Sequence, residues 1–309
     1  LTELTLAEPR DLVEDFAFYL MTKITEVSVI TQADLAAAAL VCHDSSNVTE
    51  TEFAESVDLL AAGLKYYEIE ISSGSTNLTS GCNKALDRFK SRKFIESEST
   101  KETLIYKINE SRRANLEFYK NSLVNCLWAP ALLATAIISE NSGIPLSRKD
   151  ILTKFCSLKK LLQKELIFDP LVEEGALVEN NLMFFEKQGW INVITSTGSV
   201  EVTRNMAMKV FRGLLSDILR VYKACAATLN KIGDESILER EFIKLAAKTG
   251  AEMKLFPSSQ NISLSTVTVK NALNQLTALK MVDYNQARKK IRRGKEDSGS
   301  LFKSGPLSY

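Results

Sequence analysis

Apolar side chains recur at helical spacing along most of this 309-residue chain, and three times the pattern ends in the same way. In CNKALDRFKSRKFIE (82–96) the positions are Leu86, Phe89, Phe94 and Ile95. In ENNLMFFEKQGWIN (179–192) they are Leu182, Phe185, Trp190 and Ile191, and in VKNALNQLTALKMVD (269–283) Leu273, Leu276, Met281 and Val282. The shared spacing is Leu-x2-apolar-x4-apolar-[Ile/Val]. Its first two positions lie on one face of a helix, and its closing pair starts a strand.

The three blocks also share their surroundings. Two helical stretches precede the first, TQADLAAAALVCHD with Thr31 as cap and TETEFAESVDLLAAGLKYY with Thr49 and Glu52 at capping-box spacing. FIESESTKETLIYKIN follows it, two β-prone runs around a polar turn. The second block follows SLVNCLWAPALLATAIISE and a helix striped by Ile151, Phe155, Leu158, Leu162 and Leu166, and leads into the strand–turn–strand WINVITSTGSVEVT. The third follows KVFRGLLSDILRVYKACAATL and ESILEREFIKLAAKTGAEM and ends in the weaker, basic hairpin MVDYNQARKKIRRGKEDSG. Helix, helix, helix, hairpin predicts a mainly α fold of three tandem winged-helix-like units with small β-hairpin wings. The expected division is a linking helix at 1–30, units at 31–118, 119–205 and 206–287, and a basic flexible tail at 288–309.

Charge narrows the use of such units. The net charge is +1, with 45% hydrophobic and 25% charged residues, enough for cores and solubility without the basic excess of a nucleic-acid-wrapping protein. The third helix of the first unit carries Lys84, Arg88, Lys90, Arg92 and Lys93, with Asp87 among them. The corresponding second helix has Glu179, Glu186 and Lys187, and the third Lys270 and Lys280. Only Arg288–Lys295 is a dense basic cluster, and it reads as a solvated end. No nucleic-acid partner is expected; packing against protein suits these helices better.

The single histidine, His43, precedes Asp44, and adjacent residues do not face each other, so His43 is expected as an exposed helix-end residue without a catalytic role. The sequence has no Gly-x-Gly-x-x-Gly, Walker, Gly-x-Ser-x-Gly or Asp-x-Asp calcium motif. Cys42, Cys82, Cys126, Cys156 and Cys225 are odd in number and dispersed, which predicts buried reduced thiols rather than a zinc site or disulfides. The expected catalytic, substrate-binding and metal residues are none, and no cofactor is expected. Asn121–Ser139 carries no charge over 19 positions but is broken by Pro130; a buried helix hairpin or helix start is the first reading, contact with a membrane surface the second and spanning the third. The chain begins at Leu1 without signal-peptide composition, which suggests the downstream part of a longer protein.

FYKNSLVNCLWAPALLATAIIS, followed after a short loop by PLSRKDILTKFCSLKKLLQKELIF, resembles the region downstream of the catalytic domain in the membrane-associated glycerol-3-phosphate acyltransferases and the related dihydroxyacetone-phosphate acyltransferase. The resemblance rests on Tyr119, Lys120 and Asn121, on Pro130, Ala131 and Leu132, and on Glu165 to Phe168. YLMTKITEVSVITQADLAAAALV and VKNALNQLTALKMVD agree, so that it covers roughly 12–285. It implies transfer of a fatty acyl group from acyl-CoA to the sn-1 hydroxyl of glycerol 3-phosphate, with dihydroxyacetone phosphate as the other acceptor. It also implies a His-x4-Asp motif; here the fifth residue after His43 is Val48, so no catalytic residue carries over. What the resemblance implies is a non-catalytic C-terminal region. Its partners would be the upstream catalytic domain, which binds the substrates, and a membrane surface on the cytoplasmic side of a bacterial inner, mitochondrial or peroxisomal membrane.

Overall fold

The computed structural model describes residues 9–294, apart from 73–77, 139–144, 169–171, 234, 257–263 and 286–288. Helix α1 (Pro9–Glu26) leads to Thr31, whose hydroxyl accepts the Asp34 N–H while its own N–H donates to the Asp34 carboxylate at 2.9 Å, a capping box that starts α2 (Gln32–Val41). After β1 (Asn47–Thr49) a second box, Thr49 with Glu52, starts α3 (Glu50–Tyr66). Helix α4 (Leu78–Ser91) and the hairpin of β2 (Ile95–Ser99) and β3 (Leu104–Ile108) complete the first unit.

The second unit runs through α5 (Arg113–Ile138), α6 (Arg148–Leu161), α7 (Glu174–Lys187), β4 (Ile191–Ile194) and β5 (Ser199–Val202). Helix α8 (Asn205–Gly213) connects it to α9 (Ser216–Ile232), β6 (Ile237–Leu238), α10 (Glu239–Glu252), α11 (Thr266–Ala278), β7 (Val282–Asn285) and β8 (Lys290–Arg293). The chain is thus mainly helical, with eleven α-helices and small antiparallel sheets among the described residues.

The hairpins are not alone. A short strand from between the first two helices adds to each, giving the orders β1-β3-β2 and β6-β8-β7. In the second unit Leu146 bridges Val200 by two backbone hydrogen bonds, 3.0 and 2.8 Å, in the corresponding place. Each unit therefore repeats helix, strand contact, helix, helix, strand, strand, with its last strand central.

The recurring spacing has a backbone cause. After α4, the N–H of Lys93 reaches the Lys90 carbonyl and that of Phe94 the Phe89 carbonyl, both at 2.9 Å, with Lys93 at φ +58°. Gly189 and Trp190 make the same pair to Glu186 and Phe185 at 2.8 and 2.9 Å, and Lys280 and Met281 to Thr277 and Leu276 at 2.9 Å. Gly189 and Lys280 are also left-handed, at φ +69° and +60°. These are Schellman caps, in which the residue after the left-handed one contacts the helix residue five before it. Four intervening residues separate the apolar pair because the 6→1 hydrogen bond sets that span. Phe89–Phe94 and Phe185–Trp190 stack at ring-centroid distances of 6.0 and 5.8 Å. Ile95, Ile191 and Val282, the closing members, are buried in their sheets.

One hydrophobic core extends from Ile30 to Ile291. Helix α5 runs through it against α2, α6, α7 and α8. Leu123, Leu127 and Ala131 to Ala134 are fully buried. The run 121–138 is thus core, as its first reading held, but as the second half of one kinked helix rather than a hairpin; Ser139 lies outside the described residues. The kink is at Leu127 (φ −115°, ψ 20°), where Pro130 lacks a donor and its ring crowds the Cys126 carbonyl.

Three expectations are corrected. The basic stretch beginning near 288 is not a tail over its described part, because 290–293 form β8, paired with both β6 and β7, and the buried Ile291 anchors it. Residues 288 and 295–309 lie outside the described residues. The limits at 118/119 and 205/206 fall inside α5 and α8. Cys126 and Cys156 are half-buried, while Cys42, Cys82 and Cys225 are buried; all five are free thiols. Burial pushes the Cys42 and Cys225 thiols up to about 12, far from the thiolate form that reacts.

Candidate functional site

His43 follows the end of α2 but is half-buried, contrary to expectation, because α3 covers it: its Nε2 is 3.0 Å from the Ser56 Oγ. The Ser56 hydroxyl donates to the Glu52 carbonyl at 2.7 Å, so its proton is committed to the backbone and not to the ring. Ser56 is also fully buried. The pair therefore has neither the proton direction nor the access of a nucleophile and its base. Burial lowers the His43 pKa, against the opposing charge of Glu52. Asp44 turns elsewhere, accepting from Arg212 at 3.0 Å and Arg220 at 2.7 Å.

Those arginines belong to a charged seam where the α2–β1 loop, α5 and α9 meet. Arg113 grips Glu110 by two hydrogen bonds, 2.9 and 3.1 Å, and Glu110 accepts the Ser46 hydroxyl at 2.6 Å. One turn apart on α5, Glu117 and Lys120 face Asp217 of α9. Lys120 is only 1% exposed; it donates to the Leu214 carbonyl at 2.9 Å and pairs with Asp217. Burial, then the Asp217 charge, raises the Glu117 pKa. Farther along, Tyr222 donates to Glu165 at 3.3 Å, and burial lifts that carboxyl to about 7. Among the described residues these charges are paired with one another, and removing Asp217 would strand the buried Lys120 at a cost of about 3–5 kcal/mol. The work of the seam is to fix α5 against α9.

Two concave places are formed by the described residues. A cavity of about 260 Å³ is lined by Arg212, Arg220, Lys223, Lys254 and Phe256, with Asp44 already between its arginines. A larger cleft, about 440 Å³, lies between the start of α2 and the outer face of α4. Among the described residues no group of three or more His, Cys, Asp or Glu side chains could hold a metal ion.

The most exposed apolar feature is α1. Val13, Phe16, Leu20 and Ile24, spaced three and four apart, are 44–67% exposed on a helix that touches α5. That the apolar face of this helix would be left uncovered could not be read from spacing.

A mainly helical region of repeated units is the class these features define. The family model for the glycerol-3-phosphate acyltransferase C-terminal region matches residues 3–285, and the chain belongs to that family. It is similar to glycerol-3-phosphate acyltransferases of Shewanella amazonensis, 23% identical over 238 residues, and Shewanella woodyi, 24% identical over 250 residues. Those matches cover 75% and 77% of this chain but 28% and 29% of the relatives. The chain thus spans less than a third of the length of these relatives.

Proposed function

We propose that this chain is the non-catalytic C-terminal region of an acyltransferase that moves a fatty acyl group from acyl-CoA to the sn-1 hydroxyl of glycerol 3-phosphate, and that it holds the catalytic portion in place. The match over 3–285 to the C-terminal region of that family carries the reading. We read the three repeats as winged-helix-like modules used for packing: α7, at the position of a recognition helix, carries Glu174, Glu179 and Glu186 against Lys187 alone, which suits protein contact and not phosphate backbones.

The surface offered to the catalytic portion is the stripe of α1. This helix has two cations, Arg10 and Lys23, against four carboxylates, Asp11, Glu14, Asp15 and Glu26. Helices that lie on membranes combine an apolar face with a basic one, so the stripe fits a protein partner better than an anionic lipid surface. The apolar run in α5 does not serve as lipid contact either: it is the one helix long and apolar enough to cross a membrane among the described residues, and 67% of that window is buried. Membrane association of the whole protein then falls chiefly to its other portion.

The test is co-purification of this chain with the separately expressed upstream portion of its own reading frame. The two should elute together, and L20D/I24D, which puts charge on the exposed stripe and leaves the core alone, should separate them by at least about tenfold in affinity. Unchanged co-elution of the variant overturns the role of α1. An upstream portion without the His-x4-Asp motif overturns the acyltransferase reading.

A further inference from the structure

The cleft between α2 and α4 is unlike the rest of the charged surface. Lys84 and Arg88 stand one turn apart on one face of α4, and Arg92, four residues on and just past the helix end, continues the row with its N–H on the Arg88 carbonyl at 3.1 Å, so that the three form one wall. All three are exposed, and among the described residues none has an ion-pair partner. Among the described residues no carboxylate lines the cleft. Asp87, which dilutes the basic count of this helix when charges are merely summed, is turned to Lys90 at 3.8 Å. Asp34 is buried and spent on its cap, accepting from the Thr31 N–H and hydroxyl at 2.9 and 2.7 Å.

The other groups are equally well defined. Arg92 donates to the Tyr119 hydroxyl at 3.5 Å, which leaves the phenol proton for a ligand. Gln32 is tied to the Ser72 carbonyl at 2.7 Å and packs over Gly81, where a Cβ would come within 2.6 Å of it, so that wall is held shut. Three like charges one turn apart repel each other, and an anion bound among them relieves that repulsion. At about 440 Å³ the cleft is in the lower range of ligand pockets.

From this geometry we propose that the cleft is a phosphate-binding site, taking a phosphate mono- or diester. A phosphate offers several oxygens and up to two charges to two guanidinium forks, an ammonium and a phenol; a single carboxylate would leave part of that set unused. The assignment is independent of the docking role of α1. It also distinguishes this cleft from the smaller cavity, where Asp44 already occupies the place of an anion between Arg212 and Arg220.

The experiment uses the full 309-residue chain with two probes, inorganic pyrophosphate by titration calorimetry and phosphatidylglycerol-containing vesicles by co-sedimentation, with pure phosphatidylcholine vesicles as blank. K84Q/R88Q/R92Q is compared with K101Q/K149Q/K187Q, which removes the same net charge from exposed sites elsewhere. Binding to at least one probe is expected, lost by about a hundredfold in the first variant, at about fivefold per charge, and kept within about twofold in the control. Pyrophosphate binding identifies a soluble phosphate compound as the source; binding to phosphatidylglycerol vesicles alone identifies a lipid headgroup. If the triple variant melts lower than wild type, R88Q alone, with an expected loss of about fivefold, replaces it. Absence of binding to both probes, equal loss in the two triple variants, or equally strong binding of poly-glutamate overturns the proposal.

Discussion

The first and second units turn from helix to strand by the same two hydrogen bonds, yet the side chains at the two turns live in different surroundings. Phe94 packs on Phe89, which Tyr119 meets at 5.6 Å, and 8% of Phe94 remains in solvent. Trp190 is 2% exposed and lies within 5.1–5.8 Å of Phe184, Phe185 and Phe211, three aromatic rings from two helices. Phe184 in turn meets Tyr66 and Tyr67 of α3 at 4.6 and 5.6 Å, and Tyr67 donates to the buried Asn181 at 2.5 Å. The local backbone solution is shared; the energy it organises depends on whether the unit is peripheral or central. The second unit packs against both of the others.

That contrast sets the largest predicted effect. Trp190→Ala empties a site enclosed on all sides and should cost about 3–5 kcal/mol of unfolding free energy. Phe94→Ala opens onto solvent at the rim and should cost about 2 kcal/mol. Chemical denaturation of both variants measures the gap, and equal losses would remove the distinction between centre and edge.

Much of this was legible in the residues. Both capping boxes, the stripe from Ile151 to Leu158 and the Thr197–Gly198 turn are local, and local chemistry survives into the fold, whereas Leu162 and Leu166, expected on the same helix, lie past its end and are buried there. The three-fold spacing was visible, though its cause, a hydrogen bond across five residues, was not. The third strand of each sheet escaped because two or three residues show no alternation: Asn47–Thr49, Ile237–Leu238 and the single bridge at Leu146. The basic hairpin was expected, yet its second strand, β8, was also assigned to a tail because Lys290, Arg292 and Arg293 outnumber the one inward residue, Ile291. Lys120 was quoted only as part of a family pattern; a long cation between apolar turns reads as solvent-facing until Asp217, 97 residues away, is brought to it. The basic wall of α4 was hidden by summing charges in sequence instead of placing them around the helix, where spacing by four separates Lys84, Arg88 and Arg92 from Asp87.

The junction of the second unit with the third carries the pH dependence. Glu165, just beyond α6, meets Tyr222 of α9, and burial raises its carboxyl from 4.5 to about 7, opposed by hydrogen bonds from Asn271 and Tyr222. A raised carboxyl binds its proton more tightly when folded. Its contribution is therefore complete below the unfolded value of 4.5 and is lost as pH rises through about 7. Stability relative to Glu165→Gln should fall over that window, on the order of 1–2 kcal/mol after allowing for partial solvent access. Parallel pH profiles of the two proteins would mean that the seam joining the second and third units tolerates the charge.

The finest test addresses the turn residue itself. All three junctions need a left-handed residue, and only the second supplies glycine. Nothing lies within 4 Å of a Cβ added at Gly189, so Gly189→Ala meets no neighbour and isolates the backbone term. It should destabilise by about 1 kcal/mol, the cost of placing an L residue in that region. In the first unit the reverse change, Lys93→Gly, relieves the same strain at φ +58° but adds freedom to the unfolded chain, so a gain of about 0.5 kcal/mol is expected. Lys93 also lies near the cationic wall of α4 without lining its cleft, so this variant should leave phosphate binding unchanged while it raises the melting temperature. Opposite signs for the two substitutions would show that one backbone geometry serves both units; equal signs would show that the units reach the same hydrogen bonds under different strain.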